Sequence, residues 1–193
     1  MEYRNLTPIT KPKEVTTKRI DSEYYVEGYA ARFKPYVLFE YDGIKIYEEL
    51  AKDALIGADL SDVIMQYDHK GRVLARTTNG TLVLESDNHG LFIAADLSGS
   101  TASRDMHNDI NTGLVTKMSW GFTVAEEEYN RDTRTRLIKK IKKVYDVSGV
   151  SIPANESTGI NTRSYFNKLM IDEQGKDINR RKQRLRLKYK LTI

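Results

Sequence analysis

Ser119 lies in the run Val115-Thr116-Lys117-Met118-Ser119-Trp120-Gly121-Phe122-Thr123-Val124, between a helix-like segment and an apolar strand-like run. Gly121, two residues on, has no Cβ to crowd a carbonyl that approaches the hydroxyl. Such a serine is a nucleophile only with a base beside it, because an imidazole in hydrogen-bond reach must take its proton near neutral pH. The chain has three histidines. His69 follows the apolar run Val63-Ile64-Met65-Gln66-Tyr67, where a strand end would project its ring into a cleft. His89 falls in a hairpin turn, which is ordinarily an exposed position. His107 falls on a helix next to Met106, off the apolar stripe. Their spacings match no zinc pattern, so no metal is expected, and no other cofactor.

The base in turn needs an acceptor on its second ring nitrogen, to fix the tautomer and to stabilise the imidazolium. Asp146, the single acid in Tyr145-Asp146-Val147-Ser148-Gly149-Val150-Ser151-Ile152, is the leading candidate. Asp68 is the weaker choice, since adjacent residues on an extended chain point to opposite faces. Residue types and spacing alone leave two readings open. Ser119, His69 and Asp146 form a catalytic set, or they are three polar residues with structural roles on neighbouring strands.

The elements that must position these residues follow from periodicity and turn chemistry. Residues 24–33 read as a first strand that ends at Pro35. Residues 47–56 have Leu50, Ala54 and Leu55 at helical spacing with Gly57 after them, which predicts a short helix. Strand-like runs follow at 72–77, 81–85 and 91–97, with Asn79-Gly80 as a tight-hairpin signal and Asp87-Asn88-His89-Gly90 as the next turn, predicting an antiparallel meander. Ser100 is placed to cap a helix through Thr112, with Ala102, Met106 and Ile110 on one face and Gly113 as its stop. Residues 137–152 form a long strand closed by Pro153-Ala154-Asn155. Many short strands with few helices predict a mostly β, α+β fold whose core is an antiparallel barrel-like sheet flanked by helices.

Residues 1–20 read as a mobile N-terminal arm, 21–163 as one domain, and 164–193 as a basic C-terminal tail. The tail has a helix-like stretch at 165–170 and strict basic/apolar alternation at 184–193. At 193 residues, 39% hydrophobic and 30% charged, the chain suits one globular domain, and no apolar run approaches the ~20 residues of a membrane span. With no cysteine, disulfides, thiolate zinc sites and cysteine nucleophiles are excluded, and a cytoplasmic setting is expected. The net charge of +4 is misleading as a nucleic-acid signal. Seven basic residues lie in 180–193 with no acid among them, so the remainder carries −3. That mildly acidic body, without paired aromatics on a basic sheet, disfavours a small nucleic-acid-binding barrel.

Several pieces occur together in one order: GYAARF at 28–33, VIMQYDH at 63–69, the Gly90-Leu91 step, the helix before Gly113, Met118-Ser119-Trp120-Gly121-Phe122, and Tyr145 through Asn155. In that order, over about residues 24–163, the chain resembles the prohead serine proteases of tailed bacteriophages, which are distantly similar to herpesvirus assemblin. The resemblance implies an assemblin-like fold and assigns Ser119 as nucleophile, His69 as base and Asp146 as the acid, where the family commonly has glutamate. Lys70 stands where the family often has an acid, and Trp120 where it has a smaller residue. Trp120 either lines the site or belongs to the core. Implied too are scaffolding and major capsid protein segments as substrates, the chain itself as a further substrate, a homo-oligomer, and action inside the assembling prohead in the host cytoplasm. On this reading the tail is a segment removed by self-cleavage. The competing expectation is a non-catalytic capsid assembly or scaffolding protein that keeps the fold.

Overall fold

Alternating burial places more than half of the described residues in strands. The computed structural model describes residues 2–10, 18–41, 43–151 and 178–183. In order these form β1 (Glu2–Thr10), β2 (Tyr25–Arg32), β3 (Tyr36–Tyr41), β4 (Ile44–Leu50), β5 (Ile64–Tyr67), β6 (Lys70–Arg76), β7 (Leu82–Ser86), β8 (Gly90–Asp96), α1 (Thr101–Thr112), β9 (Lys117–Asn130) and β10 (Thr135–Val150). Residues 157–193 form a second unit, in which 178–183 are helical. The expected helix at 165–170 and the alternating strand at 184–193 lie outside the described residues.

One pairing path runs β3-β4-β10-β9-β1-β2-β8-β7, with β5 and β6 as a branch from β10. The mostly β composition matches the expectation, but the barrel does not. Among the described residues β3 and β7, at the ends of the path, do not pair, so the sheet is open. The reason lies in β10, which is 16 residues long. One of its edges is taken by β9, and the other is divided between β4 at its start and β5 at its end, both parallel to it. Dividing that edge makes a branch where a ring would need a continuous partner.

Three further expectations are corrected. The predicted helix at 47–56 is instead the end of β4, in which Ile46, Glu48 and Leu50 are buried alternately, followed by tight turns such as Ala54 N–H to Ala51 C=O at 3.0 Å. Pairing with β3 and β10 outweighs the local helical spacing. Only the second hairpin of the meander forms: β7 pairs antiparallel with β8 across the 87–90 turn, whereas β6 pairs with β5 and not with β7. Asn79-Gly80 closes a single 3-10 turn at Thr77–Asn79, and Asn79 Oδ1 accepts the Thr81 N–H at 3.1 Å, steering the chain toward β8. Finally, the N-terminal arm, given no structure from its sequence, contains β1. It pairs with β9, Asn5 opposite Ser119, and then with β2, Ile9 opposite Gly28.

The helix forms as its sequence requires. Ser100 Oγ accepts the Ser103 N–H at 3.1 Å, and Gly113 ends α1 with φ 80°, a left-handed position that glycine takes without a Cβ clash. Met106 and Ile110 are buried against the main core, which Trp120, Phe122, Met65, Leu91 and Ile93 help to fill. Gly149 lets α1 close on β10, since a Cβ there would lie 2.1 Å from Met106 Cε.

Candidate active site

Ser119 lies in β9 directly opposite Ser148 of β10, and Asp146 pairs with Gly121 two positions along. Side chains two apart on a strand share a face, so Asp146 and Ser148 project on the same side of the sheet. On the other edge of β10, β5 runs parallel, with Ile64 beside Asp146 and Tyr67 beside Gly149. The chain emerging from β5 therefore arrives next to the two serines and the aspartate.

His69 reaches them from a two-residue hairpin. Tyr67 pairs with Lys70, leaving Asp68 and His69 as the central residues of the turn, with φ of 47° and 58°. Turns of this kind need positive φ at both positions, and Asp and His are among the non-glycine residues found there most often. The conformation is held from outside. Asp68 N–H donates to the Gly149 carbonyl at 3.0 Å, Asp68 Oδ1 accepts the Ser151 N–H at 3.0 Å, and Asp68 Oδ2 accepts the Ser151 hydroxyl at 2.8 Å. The turn is thus fastened to the end of β10, and the imidazole is directed between β9 and β10.

There it completes a chain of hydrogen bonds. His69 Nε2 lies 2.5 Å from Ser119 Oγ, and His69 Nδ1 is hydrogen-bonded to Asp146 Oδ1. Ser148 Oγ donates to the same carboxylate oxygen at 2.9 Å. Ser119 and Ser148 are fully buried and Asp146 is 3% exposed, whereas the His69 side chain retains 16%. A buried carboxylate with two hydrogen-bond partners can hold the ring in one tautomer, leaving Nε2 to take a proton from the Ser119 hydroxyl.

The structure thus brings Ser119, His69 and Asp146 together. The Asp68 carboxylate is engaged elsewhere, by Ser151, and the residue sits in a left-handed turn, so strand alternation does not describe it. His89 and His107 stand apart. His89 meets the Tyr29 ring edge-on at 6.2 Å, and His107 meets Tyr24 at 5.3 Å, with burial holding its pKa below the ordinary imidazole value. Among the described residues no group of three or more histidine, aspartate or glutamate side chains converges as a metal site. Of the two readings of Trp120, the core one holds. It has no exposed surface and stacks on Phe122 with ring centroids 4.1 Å apart. Ser148 was missed by sequence reasoning, although its place two residues after Asp146 in a strand puts it on the same face.

A family model described as Caudovirus prohead serine protease matches residues 13–171. The "Prohead protease" of Enterobacteria phage HK97 is 31% identical over 135 residues, which is 69% of this chain and 57% of that relative. The matched region therefore spans little more than half the relative's length. No solved structure matches the chain.

Proposed function

This chain belongs to the caudovirus prohead serine protease family, and on that premise we propose that it is a serine endopeptidase in which Ser119, His69 and Asp146 are nucleophile, base and orienting acid. The observation that carries the reading is the continuous hydrogen-bond chain from Ser119 through His69 to Asp146. Ser119 Oγ attacks the scissile carbonyl as His69 Nε2 takes its proton. The same nitrogen then protonates the leaving amine, which departs and leaves an acyl-enzyme. A water molecule, deprotonated by His69, hydrolyses that ester and frees Ser119. Through each protonation of the ring, Asp146 stays ionised and holds Nδ1, so the imidazolium forms beside a buried negative charge. Aspartate in place of the family's usual glutamate is accommodated because the hairpin brings the ring up to the shorter side chain.

The substrates on this reading are segments of the major capsid protein and scaffold, together with the chain itself, cleaved within an assembling prohead in the host cytoplasm. Residues 164–193 are one segment removed by self-cleavage, and the enzyme works as a homo-oligomer. Co-expression with the capsid protein, followed by intact-mass measurement, tests this. Wild type is expected to shorten the capsid protein and itself, and Ser119→Ala to shorten neither. Equal processing by both would instead favour a non-catalytic assembly role.

A further inference from the structure

Ser119 has no exposed surface, so a peptide carbonyl reaches its hydroxyl only after a neighbouring element moves. Two strands flank β9 at that residue. On one side β10 sets Ser148 opposite it, and on the other β1 sets Asn5 opposite it. The two are not equivalent. β10 carries Asp146 and holds the Asp68-His69 turn, so its departure would dismantle the Ser119 hydrogen-bond chain. β1 carries none of the three residues, and its departure leaves that chain whole.

The ladder that holds β1 on β9 is a weak one. Glu2 to Asn5 pair with Phe122 back to Ser119, and Thr7 and Pro8 pair with Met118 and Lys117. The register slips between Asn5 and Thr7, which leaves Leu6 as an extra residue next to the nucleophile and interrupts the pairing there. Pro8 has no N–H to give to either neighbouring strand. On its other edge β1 pairs with β2 only at Ile9 and Thr10 among the described residues. When β1 leaves, β9 keeps β10 and β2 keeps β8, and Val26 and Ala30 of β2 still share one buried cluster with Trp120 and Phe122 of β9. The edge then left open on residues 117–122 has unpaired main-chain groups, and such an edge binds an extended polypeptide by main-chain hydrogen bonds.

We propose that residues 2–10 are a displaceable occupant of the peptide site: β1 covers, in cis, the β9 edge beside Ser119, and an extended peptide substrate enters by exchanging with it. The inference rests on the peptidase reading above. The incoming peptide runs in the direction of β1, antiparallel to β9, with its main chain opposite Ser119 where Asn5 now lies. Only the fraction of molecules whose β1 has left is competent, and the apparent activity falls by that fraction.

The test is a reversible lock. Pro8 and Lys117 are directly opposite, and such pairs lie about 4.5–5.5 Å apart at Cα, a span that a disulfide closes. The chain has no cysteine of its own, so Pro8→Cys with Lys117→Cys in the full-length protein forms a single bridge that reductant opens. Intact mass of the monomer reads the bridge as the loss of a pair of hydrogens. Cleavage of a peptide library derived from a bacterial proteome is followed by mass spectrometry before and after reduction, with cuts that persist in Ser119→Ala subtracted. Rates are taken per active Ser119, counted by fluorophosphonate labelling run to completion, so misfolded molecules do not enter them. The bridged form is expected to cut at least about tenfold more slowly than the reduced form. Thr7→Pro, which removes a second N–H next to Pro8, is expected to cut at least about threefold faster than wild type. Equal rates before and after reduction, or no gain from Thr7→Pro, would overturn the occupant and leave the peptidase reading standing. A folded chain that forms no bridge would also overturn it, because β1 would not then lie on β9. Absence of any Ser119-dependent cut in wild type would overturn the peptidase reading and the occupant with it.

Discussion

Replacing Ser148 by alanine removes one buried oxygen from beside the Ser119 chain. That hydroxyl donates to Asp146 Oδ1 at 2.9 Å, the oxygen that also bonds His69 Nδ1. Ser148 is fully buried and Asp146 is 3% exposed, so water replaces the lost donor poorly. A hydrogen bond to a charged group contributes about 1.5–3 kcal/mol to stability. For a chain of this size that lowers Tm by roughly 3–12 °C. The kinetic effect is separate from the thermal one. Freed on one side, the Asp146 carboxylate holds the imidazole less firmly, and kcat is expected to fall about tenfold, equivalent to about 1.4 kcal/mol in the barrier. KM should stay within about twofold, because Ser148 is fully buried and acts through the Asp146 carboxylate. Calorimetry and steady-state hydrolysis of one peptide measure both quantities on the same sample. An unchanged Tm with full kcat would refute the reasoning, and a change in KM alone would place Ser148 in substrate binding.

Three other outcomes are expected. Glu48 is fully buried, bonded to Arg136 Nη1 at 2.8 Å and to the Tyr36 hydroxyl, while Arg136 also holds Glu127. Glu48→Leu strands part of a buried guanidinium and should cost about 3 kcal/mol in guanidinium chloride unfolding, at the low end for a broken buried pair because Glu127 remains; an unchanged midpoint would contradict this. Gly149→Ala places a Cβ 2.1 Å from Met106 Cε and 3.0 Å from Val115 Cγ1. The flexible end of Met106 can yield, so a loss of about 1 kcal/mol is expected, and a stabilised variant would show that α1 does not press on β10. Burial, and then the hydrogen bond to Glu27, pushes the Tyr25 phenol up to about 12. The unfolded chain releases that proton near ~10 and the folded one near 12, so stability should be intact below about pH 10 and lost as the pH rises toward 12. Absorbance titration at alkaline pH, compared with Tyr25→Phe, reads this directly, and a phenol titrating near 10 in the folded state would contradict it.

The reasons for what sequence disclosed and what it hid are physical. Local signals suffice where neighbouring residues determine the outcome. Ser100 and Gly113 bound α1 as their capping chemistry requires, and the runs at 24–33 and 137–152 hold strands. The signals fail where a distant partner decides. Residues 47–56 have helical spacing, but 47–50 lie between β3 and β10, and Asn79-Gly80 resembles a hairpin although β6 and β7 belong to different hairpins. Closure failed for the same reason, since nothing local reveals that one edge of β10 is shared by β4 and β5. Among the site residues, His69 was found as a histidine at the end of an apolar run. Its left-handed turn was hidden, because Asp68 is held there by Ser151, 83 positions away. Ser148 required the register that places it opposite Ser119.

Covalent labelling shows whether Ser119 is a nucleophile activated by His69. The full-length chain is treated with a small fluorophosphonate, and the modified residue is located by peptide mapping. A single phosphonyl adduct on Ser119 is expected in wild type, with labelling in His69→Ala slowed at least about a hundredfold, as loss of a general base requires. Labelling of Ser119 at the same rate without His69, or no adduct on Ser119 in the folded wild type, would contradict His69-activated nucleophilic catalysis.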